Sequence, residues 1–259
     1  MPRSAADGSV RTVSTAPSGS PVAGGTTSRR PATRGRVAGT SADCAVVAGF
    51  PSSGKSAVVR WLGRQALRSA RRPAVAALEC FPAEPRPAWT VAGPRDVPWR
   101  RWTSGDLCPD HVLALRLPEM RDWAERAGAD LLLVESAGLC CRCSPYPVRS
   151  VAVFVADASA GRAALAKVGP MLTTCDLCVL TRPDRVTPAE REMLVAAARA
   201  AGRAPVLGLD GLTGEGADAL WTRAAALLDG PGEPGLRAAL PQFYCSYCLG
   251  RERVGILEL

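Results

Sequence analysis

The run GFPSSGKS at residues 49–56 constrains the fold of this chain more than any other feature. It follows an apolar stretch, residues 44–48, that predicts a β-strand, and it opens a helical pattern over residues 55–71. A glycine-rich turn in that setting points backbone N–H groups and a helix N-terminus at bound phosphates. Lys55 is predicted to reach the β- and γ-phosphates, and the Ser56 hydroxyl to ligate Mg²⁺. The predicted nucleotide-binding residues of this loop are Gly49, Ser52, Ser53, Gly54, Lys55 and Ser56.

Short apolar runs alternate with amphipathic stretches along the rest of the chain. This alternation predicts an α/β protein, a P-loop NTPase with a mostly parallel, doubly wound sheet flanked by helices. Further strands are predicted at residues 74–79, 131–134, 151–156, 177–180 and 206–209. Further helices are predicted at residues 110–126, 161–169, 188–201 and 215–228. Residues 81–105 contain many Pro and Trp residues and are predicted to be irregular.

Composition divides the chain into three parts. Residues 1–40 are rich in Ser, Thr, Gly, Pro and Arg, and we expect a disordered basic arm there. Residues 41–230 form the predicted P-loop domain, and residues 231–259 form a tail that carries a Cys-x-x-Cys pair. Much of the net charge of +8 lies in the arm, so we expect nucleic-acid binding to be unlikely. With no signal peptide and no apolar run of about 18 residues, we expect a cytoplasmic protein without a membrane span.

A carboxylate beside the phosphates is the second requirement of a Mg²⁺-nucleotide site. Glu135 ends the apolar strand at 131–134, at the sheet edge where ligands gather, and Gly138 would let the backbone approach the γ-phosphate. We therefore predict that Glu135 is catalytic together with Lys55, and that it helps hold Mg²⁺ with Ser56. Glu79 and Asp106 are weaker candidates for the same role.

The order of these motifs resembles the HypB/UreG/CobW family of P-loop GTPases, which deliver nickel, cobalt or zinc to metalloenzymes. The similar elements are the loop at residues 49–56, Glu135-x-x-Gly138, the strand at 151–157 and the segment 175–184. The resemblance covers about residues 44–228. It implies GTP hydrolysis with Mg²⁺, a homodimer, and a client metalloenzyme or its accessory proteins as partner.

Base recognition in that family depends on an Asn-Lys-x-Asp element. Here Thr181-Arg182-Pro183-Asp184 occupies its place, so the resemblance implies that Asp184 contacts the base. Thr and Arg replace Asn and Lys, and the sequence leaves both GTP and ATP open as the nucleotide.

Ten cysteines and a single histidine supply candidate metal ligands. Cys108 and His111 lie three residues apart, similar to the Cys-His elements of nickel-insertion GTPases, and thiolate with imidazole suits Zn²⁺, Ni²⁺ or Co²⁺. Two Cys-x-x-Cys pairs have chelating spacing and could form one Cys₄ site or, less favoured, an iron–sulfur site. These pairs are Cys140 with Cys143 and Cys245 with Cys248.

A third pair, Cys175 and Cys178, straddles a strand start. We expect these two side chains to point to different faces of the sheet and to be buried core residues.

The sequence thus favours a GTP-hydrolysing accessory protein that delivers or inserts a transition metal. Two alternatives remain open. One is a P-loop ATPase or kinase of small-molecule metabolism, and the other is a zinc or iron–sulfur module that binds nucleotide without turnover.

Overall fold

The computed structural model describes residues 42–81, 97–138, 144–228 and 235–238. The predicted basic arm at residues 1–40 lies outside the described residues. So do four of the predicted metal ligands, Cys140, Cys143, Cys245 and Cys248. The predicted limits of the arm, domain and tail therefore stay predictions.

In the described ranges, seven parallel strands form one sheet, which confirms the predicted fold class. Their bounds are β1 Asp43–Gly49, β2 Pro73–Glu79, β3 Trp99–Thr103, β4 Leu131–Glu135, β5 Val151–Asp157, β6 Leu177–Thr181 and β7 Val206–Leu209. The strand order is β3-β2-β4-β1-β5-β6-β7. The central strands are apolar throughout because both faces of a parallel sheet are covered by helices.

Helices cover both faces of the sheet. Their bounds are α1 Lys55–Arg68, α2 Pro109–Arg126, α3 Arg162–Leu165, α4 Pro170–Thr173, α5 Pro188–Ala201 and α6 Ala217–Ala225. Alternate residues of each strand point to opposite faces of the sheet. Side chains of α1 and α6 pack on one face, and those of α2 to α5 pack on the other. None of the described helices combines the length and the apolar character that a bilayer crossing requires.

The chain reverses its winding direction at β1. From β1 it runs to β2 on one side of the sheet, and from β5 it runs to β6 on the other. The neighbouring carboxyl ends of β1 and β5 therefore flank a crevice, the place where open α/β sheets bind ligands. The loop at residues 49–56 begins at this crevice.

Two local predictions were wrong. Trp99–Thr103 is a strand, although residues 81–105 were predicted to be irregular. It is an edge strand, and its two arginines interrupt the apolar run by which a strand is usually predicted. The strand forms because its backbone pairs with β2. Helix α4 was also not predicted, because four residues are too few to show a helical period.

The prediction for Cys175 and Cys178 was half right. Both thiols are buried, but they lie in the same core cluster and not on opposite faces. Cys175 precedes β6, so its side chain does not follow the alternation of the strand. Burial raises the pKa of both thiols to about 12, which keeps them protonated at neutral pH.

Arg71 forms ion pairs near the amino ends of β1 and β4, at the end of the sheet opposite the crevice. Its guanidinium donates to the Asp43 carboxylate at 2.6 Å and to the Asp130 carboxylate at 2.8 Å. The Arg72 N–H donates to the same Asp130 carboxylate at 3.1 Å. Burial alone would raise the pKa of Asp130, but these hydrogen bonds and the arginine charges hold it below its ordinary value.

We predict that Asp130→Asn lowers the free energy of unfolding by about 1–2 kcal/mol at pH 7, because Arg71 loses a charged acceptor. The folded pKa of Asp130 is depressed, so its stabilisation is present above the unfolded value of 3.8 and is lost as the pH falls through the folded value. Urea unfolding at pH 7 and near pH 3 measures this difference. The matched control is Asp122→Asn, at an exposed position, with an expected change within about 0.5 kcal/mol. An Asp130→Asn effect no larger than that control would contradict the prediction.

Candidate nucleotide site

The loop at residues 49–56 is held tightly against β5 and β6. Gly49 ends β1 with φ +151°, and a Cβ there would lie 2.1 Å from the Val155 carbonyl oxygen, so only glycine fits. The Thr181 hydroxyl donates to the Ser53 carbonyl at 2.6 Å. The loop therefore has the shape of a phosphate cradle, with its glycines where the backbone is most crowded.

Lys55 extends beneath this loop from the first turn of α1. Its ammonium donates to the carbonyls of Gly49 at 3.1 Å and Phe50 at 2.7 Å, and the residue is 6 % exposed. A cation fixed at the floor of the loop, next to a helix N-terminus, favours an anion above it. Lys55 thus lies within the loop itself, and its predicted contact with the β- and γ-phosphates stays a prediction.

Ser56 and Glu135 meet at the centre of the site. The Ser56 hydroxyl donates to Glu135 Oε1 at 2.5 Å, although the two residues are 79 positions apart. Parallel pairing of β1 with β4 brings them together, because Glu135 ends β4 beside the start of the loop. Hydroxyl and carboxylate oxygens are the ligands that Mg²⁺ prefers, so this pair fits the predicted ion.

Gly138 closes the site from the β4 side. A Cβ on this residue would lie 1.9 Å from the Gly49 carbonyl oxygen and 2.8 Å from the Lys55 ammonium nitrogen, and its φ is +73°. The backbone of Gly138 therefore lies directly against the phosphate loop. Its approach to a γ-phosphate stays a prediction.

A cavity of about 690 Å³ lies above these residues, within the range that small-molecule sites occupy. One wall is the phosphate loop with Glu135, Ser136 and Arg182, and the other is the end of β2 with Glu79 and Cys80. The place of Ser136 in the cavity wall was not predicted, because a serine after a strand carries no motif of its own.

Of the two weaker candidates for a Mg²⁺ ligand, one lines the cavity and the other is not among the residues that line it. Glu79 lines the cavity, but its carboxylate also forms an ion pair with Arg101 on β3, at 3.0 Å. Asp106 lies in an exposed turn before α2 and is not among the described residues that line the cavity. Both assignments stay predictions, and the geometry favours Glu79 over Asp106.

Arg182 connects the end of β6 to the phosphate loop. Its guanidinium donates to the Ser52 carbonyl at 3.0 Å and to the Asp157 carboxylate. Burial alone would raise the pKa of Asp157, but hydrogen bonds from Ser159 and Arg182 hold it below its usual value. The sequence shows Thr and Arg in place of Asn and Lys as a departure from the family pattern, but it does not predict this contact.

Asp184 lies just beyond Arg182, in a single 3₁₀ turn, and its side chain is exposed. It is not among the residues that line the cavity, and its contact with a base stays a prediction. The loop after β7 is fixed against α1, because the carbonyl of Gly211 accepts hydrogen bonds from Trp61 at 3.1 Å and Arg60 at 3.3 Å.

Cys108 and His111 lie at the start of α2, where Cys108 is the residue before the first turn. His111 is 4 % exposed, and burial lowers the pKa of its imidazole, which favours the neutral form. Among the described residues, no group of three or more His, Cys, Asp or Glu side chains could hold a metal ion. The two ligands therefore stay predictions.

Comparison with known proteins identifies a relative across most of the chain. The chain is 35 % identical over 216 residues to the uncharacterized protein MJ0120 of Methanocaldococcus jannaschii, which covers 81 % of this chain and 90 % of the relative. No family model matches the chain.

Solved structures show the same fold. The hydrogenase maturation factor HypB from Archaeoglobus fulgidus aligns with a TM-score of 0.54 at 19 % identity, over 73 % of this chain and 91 % of that protein. HypB from Helicobacter pylori, solved in complex with nickel, aligns with a TM-score of 0.53 at 12 % identity, over 74 % of this chain and 92 % of that protein. The chain therefore shares its fold with these two HypB structures, as the motif order predicted.

We predict that Gly138→Ala weakens nucleotide binding about tenfold or more, since a strained backbone costs about 1–3 kcal/mol and the new Cβ displaces the phosphate loop. The measurement is the Kd of a fluorescent nucleotide analogue with Mg²⁺.

Gly128→Ala is the matched control, because Gly128 has a similar φ of +77° but no atom within 4 Å of the added Cβ. It should lose a little stability and keep its nucleotide affinity. Equal affinities of the two variants would show that Gly138 is not part of the cradle.

Proposed function

Because the chain belongs to the same family as the uncharacterized protein MJ0120 of Methanocaldococcus jannaschii and carries a complete phosphate loop, we propose that it binds and hydrolyses a Mg²⁺-nucleoside triphosphate. We further propose that hydrolysis drives the delivery of a transition metal to a client metalloenzyme. The single observation that carries the first part is the 2.5 Å contact between Ser56 and Glu135 above Lys55.

The proposed chemistry assigns one role to each of these groups. The loop amides and the Lys55 ammonium hold the β- and γ-phosphates and stabilise the charge that develops as the terminal phosphoryl group leaves. Ser56 and Glu135 hold Mg²⁺, which neutralises phosphate charge when it is bound. Glu79, across the cavity, is the second carboxylate within the same space. The backbone of Gly138 approaches the terminal phosphate.

GTP is the proposed nucleotide, with ATP as the alternative. Asp184 supports GTP, because a carboxylate accepts hydrogen bonds from the N1 and N2 positions of guanine. Thr181 and Arg182 hold the phosphate loop in this structure, so Asp184 acts without the Asn and Lys of the family pattern. We therefore expect a modest preference for GTP.

The metal half of the proposal rests on the cysteines, the histidine and the fold. One structural neighbour is a hydrogenase maturation factor and another was solved with nickel, and both share the fold of this chain. We propose that nickel, cobalt or zinc is the metal that is carried. Cys108 and His111 are one proposed pair of ligands.

A docked segment near the C-terminus supports a second proposed site. The Arg237 guanidinium binds the Asp176 carboxylate at 2.6 and 2.7 Å, and the Arg237 N–H donates to the Tyr146 carbonyl at 2.9 Å. Residues 235–238 are thereby held beside the segment that begins at Ser144. The cysteines 140 and 143 immediately precede Ser144 in the sequence, and Cys245 and Cys248 follow residue 238 closely. We propose that these four thiols bind one metal, within one chain or across a homodimer.

We predict that Lys55→Ala raises the nucleotide Kd at least about 30-fold and abolishes hydrolysis, because loss of a buried charge contact costs about 2–5 kcal/mol. Calorimetric titration with GTP and ATP, and phosphate release, measure the two effects. Lys167→Ala is the control, since Lys167 is the other lysine of the chain and is exposed. Tighter binding of ATP than GTP, with transfer to a small acceptor, would favour a kinase instead.

We predict that the anaerobically purified protein contains nickel, cobalt or zinc, and that the double variant Cys245→Ser with Cys248→Ser contains much less. Elemental analysis and titration with each metal measure this. Cys80→Ser is the control for loss of a thiol, since Cys80 is not a proposed ligand. A reduced wild-type protein that contains no metal and binds none of the three would remove metal delivery from the proposal and leave nucleotide hydrolysis standing.

A further inference from the structure

Ser136 is a buried residue in the wall of the nucleotide cavity to which the proposed chemistry gives no role. It follows Glu135 directly, is 1 % exposed, and lines the cavity. Within the described part of the chain its hydroxyl has no hydrogen-bond partner. A buried hydroxyl without a partner is costly, and such groups in native proteins commonly have a ligand or a catalytic role.

The position of Ser136 is fixed by the sheet. Its backbone N–H donates to the Val47 carbonyl at 3.0 Å, which extends the pairing of β4 with β1 by one residue. It therefore lies between Glu135, which binds Ser56, and the Ala137-Gly138 turn that contacts the phosphate loop. In the proposed nucleotide site, this is the part of the cavity that would face the terminal phosphate.

The four charged side chains among the described cavity residues are less suited to hold the attacking water. Lys55 and Arg182 have no acceptor atoms. One Glu135 oxygen accepts the Ser56 hydrogen bond, and the Glu79 carboxylate forms an ion pair with Arg101. A serine hydroxyl both donates and accepts, as the alignment of a water molecule beside a phosphate requires.

We propose that the Ser136 hydroxyl is a catalytic group that accepts a hydrogen bond from the water attacking the terminal phosphorus and so sets its direction of attack. This assignment rests on the proposed nucleotide hydrolysis. In that step a bond forms between the water oxygen and the terminal phosphorus. The bond from phosphorus to the bridging oxygen breaks, and its electron pair stays on the nucleoside diphosphate. The proton released by the water leaves with the inorganic phosphate.

Ser136→Ala is expected to lower kcat for GTP hydrolysis by about 10- to 100-fold, since a misplaced nucleophile costs up to about that factor. The Kd of GTP should change less than about twofold, because no ground-state contact to the nucleotide is lost. The melting temperature without nucleotide should not fall, because the hydroxyl has no hydrogen-bond partner to lose among the described residues. Affinity for GDP with aluminium fluoride, which imitates the transferring phosphoryl group, should fall with kcat.

Ser104→Ala is the matched control. Ser104 is another buried serine whose hydroxyl has no hydrogen-bond partner among the described residues, and it does not line the cavity. Its kcat should equal that of the wild type. Ser136→Thr, which keeps the hydroxyl, should recover most of the rate.

The outcomes separate this assignment from the proposed function. A Ser136→Ala variant with wild-type kcat overturns the assignment alone, as does a fall in kcat matched by a fall in GTP affinity or melting temperature. A Ser136→Thr variant with wild-type melting temperature that is as slow as Ser136→Ala also overturns it. A wild-type protein that neither binds nor hydrolyses GTP or ATP overturns the proposed function itself.

Discussion

Parallel pairing of β1 with β4 on one side and β5 on the other is the constraint on which the rest of the structure depends. The register places Val47 beside Glu135 and Gly49 beside Val155, so the carboxyl ends of three strands meet at one point. Because parallel strands all end at the same edge of the sheet, groups that are far apart in sequence lie in one crevice. Their proximity follows from the strand pairing and does not depend on the conformation of the loops. The contact between Ser56 and Glu135, 79 residues apart, is the direct result.

Close backbone approach is the second condition, and it explains where the glycines lie. The backbone segments that contain Gly49 and Gly138 lie in direct contact. A Cβ at Gly138 would lie 1.9 Å from the Gly49 carbonyl oxygen. The Lys55 ammonium occupies the same small space and donates to that carbonyl. Phosphate binding in such a site depends on N–H groups and a cation that are already fixed before the ligand arrives, which lowers the entropy cost of binding. The rigid sheet therefore serves the loop as a support.

Local sequence patterns predicted the parts of the site that are local in the chain. The phosphate loop carries its own signature, and Glu135 could be predicted because a single acidic residue ends an apolar strand. The tethers from Thr181 and Arg182 to the loop could not be predicted, because they depend on β6 lying two strands away from β1. The strand β3 was missed because its stability comes from pairing with β2 and not from its own pattern. The shared cluster of Cys175 and Cys178 likewise depends on the turn that precedes β6.

The end of β6 connects the phosphate loop to Asp184, the proposed base-contacting residue, through one short segment. Thr181 and Arg182 hold the carbonyls of Ser53 and Ser52, and Asp184 follows two residues later. Arg182 adopts φ +53°, a conformation that a non-glycine residue keeps only when its surroundings impose it. Its ion pair with Asp157 and its bond to the loop supply that restraint. A shift of the loop on phosphate binding would therefore act on Arg182 first, and through the backbone on Asp184. The phosphate loop and Asp184, the proposed base contact, are therefore coupled through Arg182.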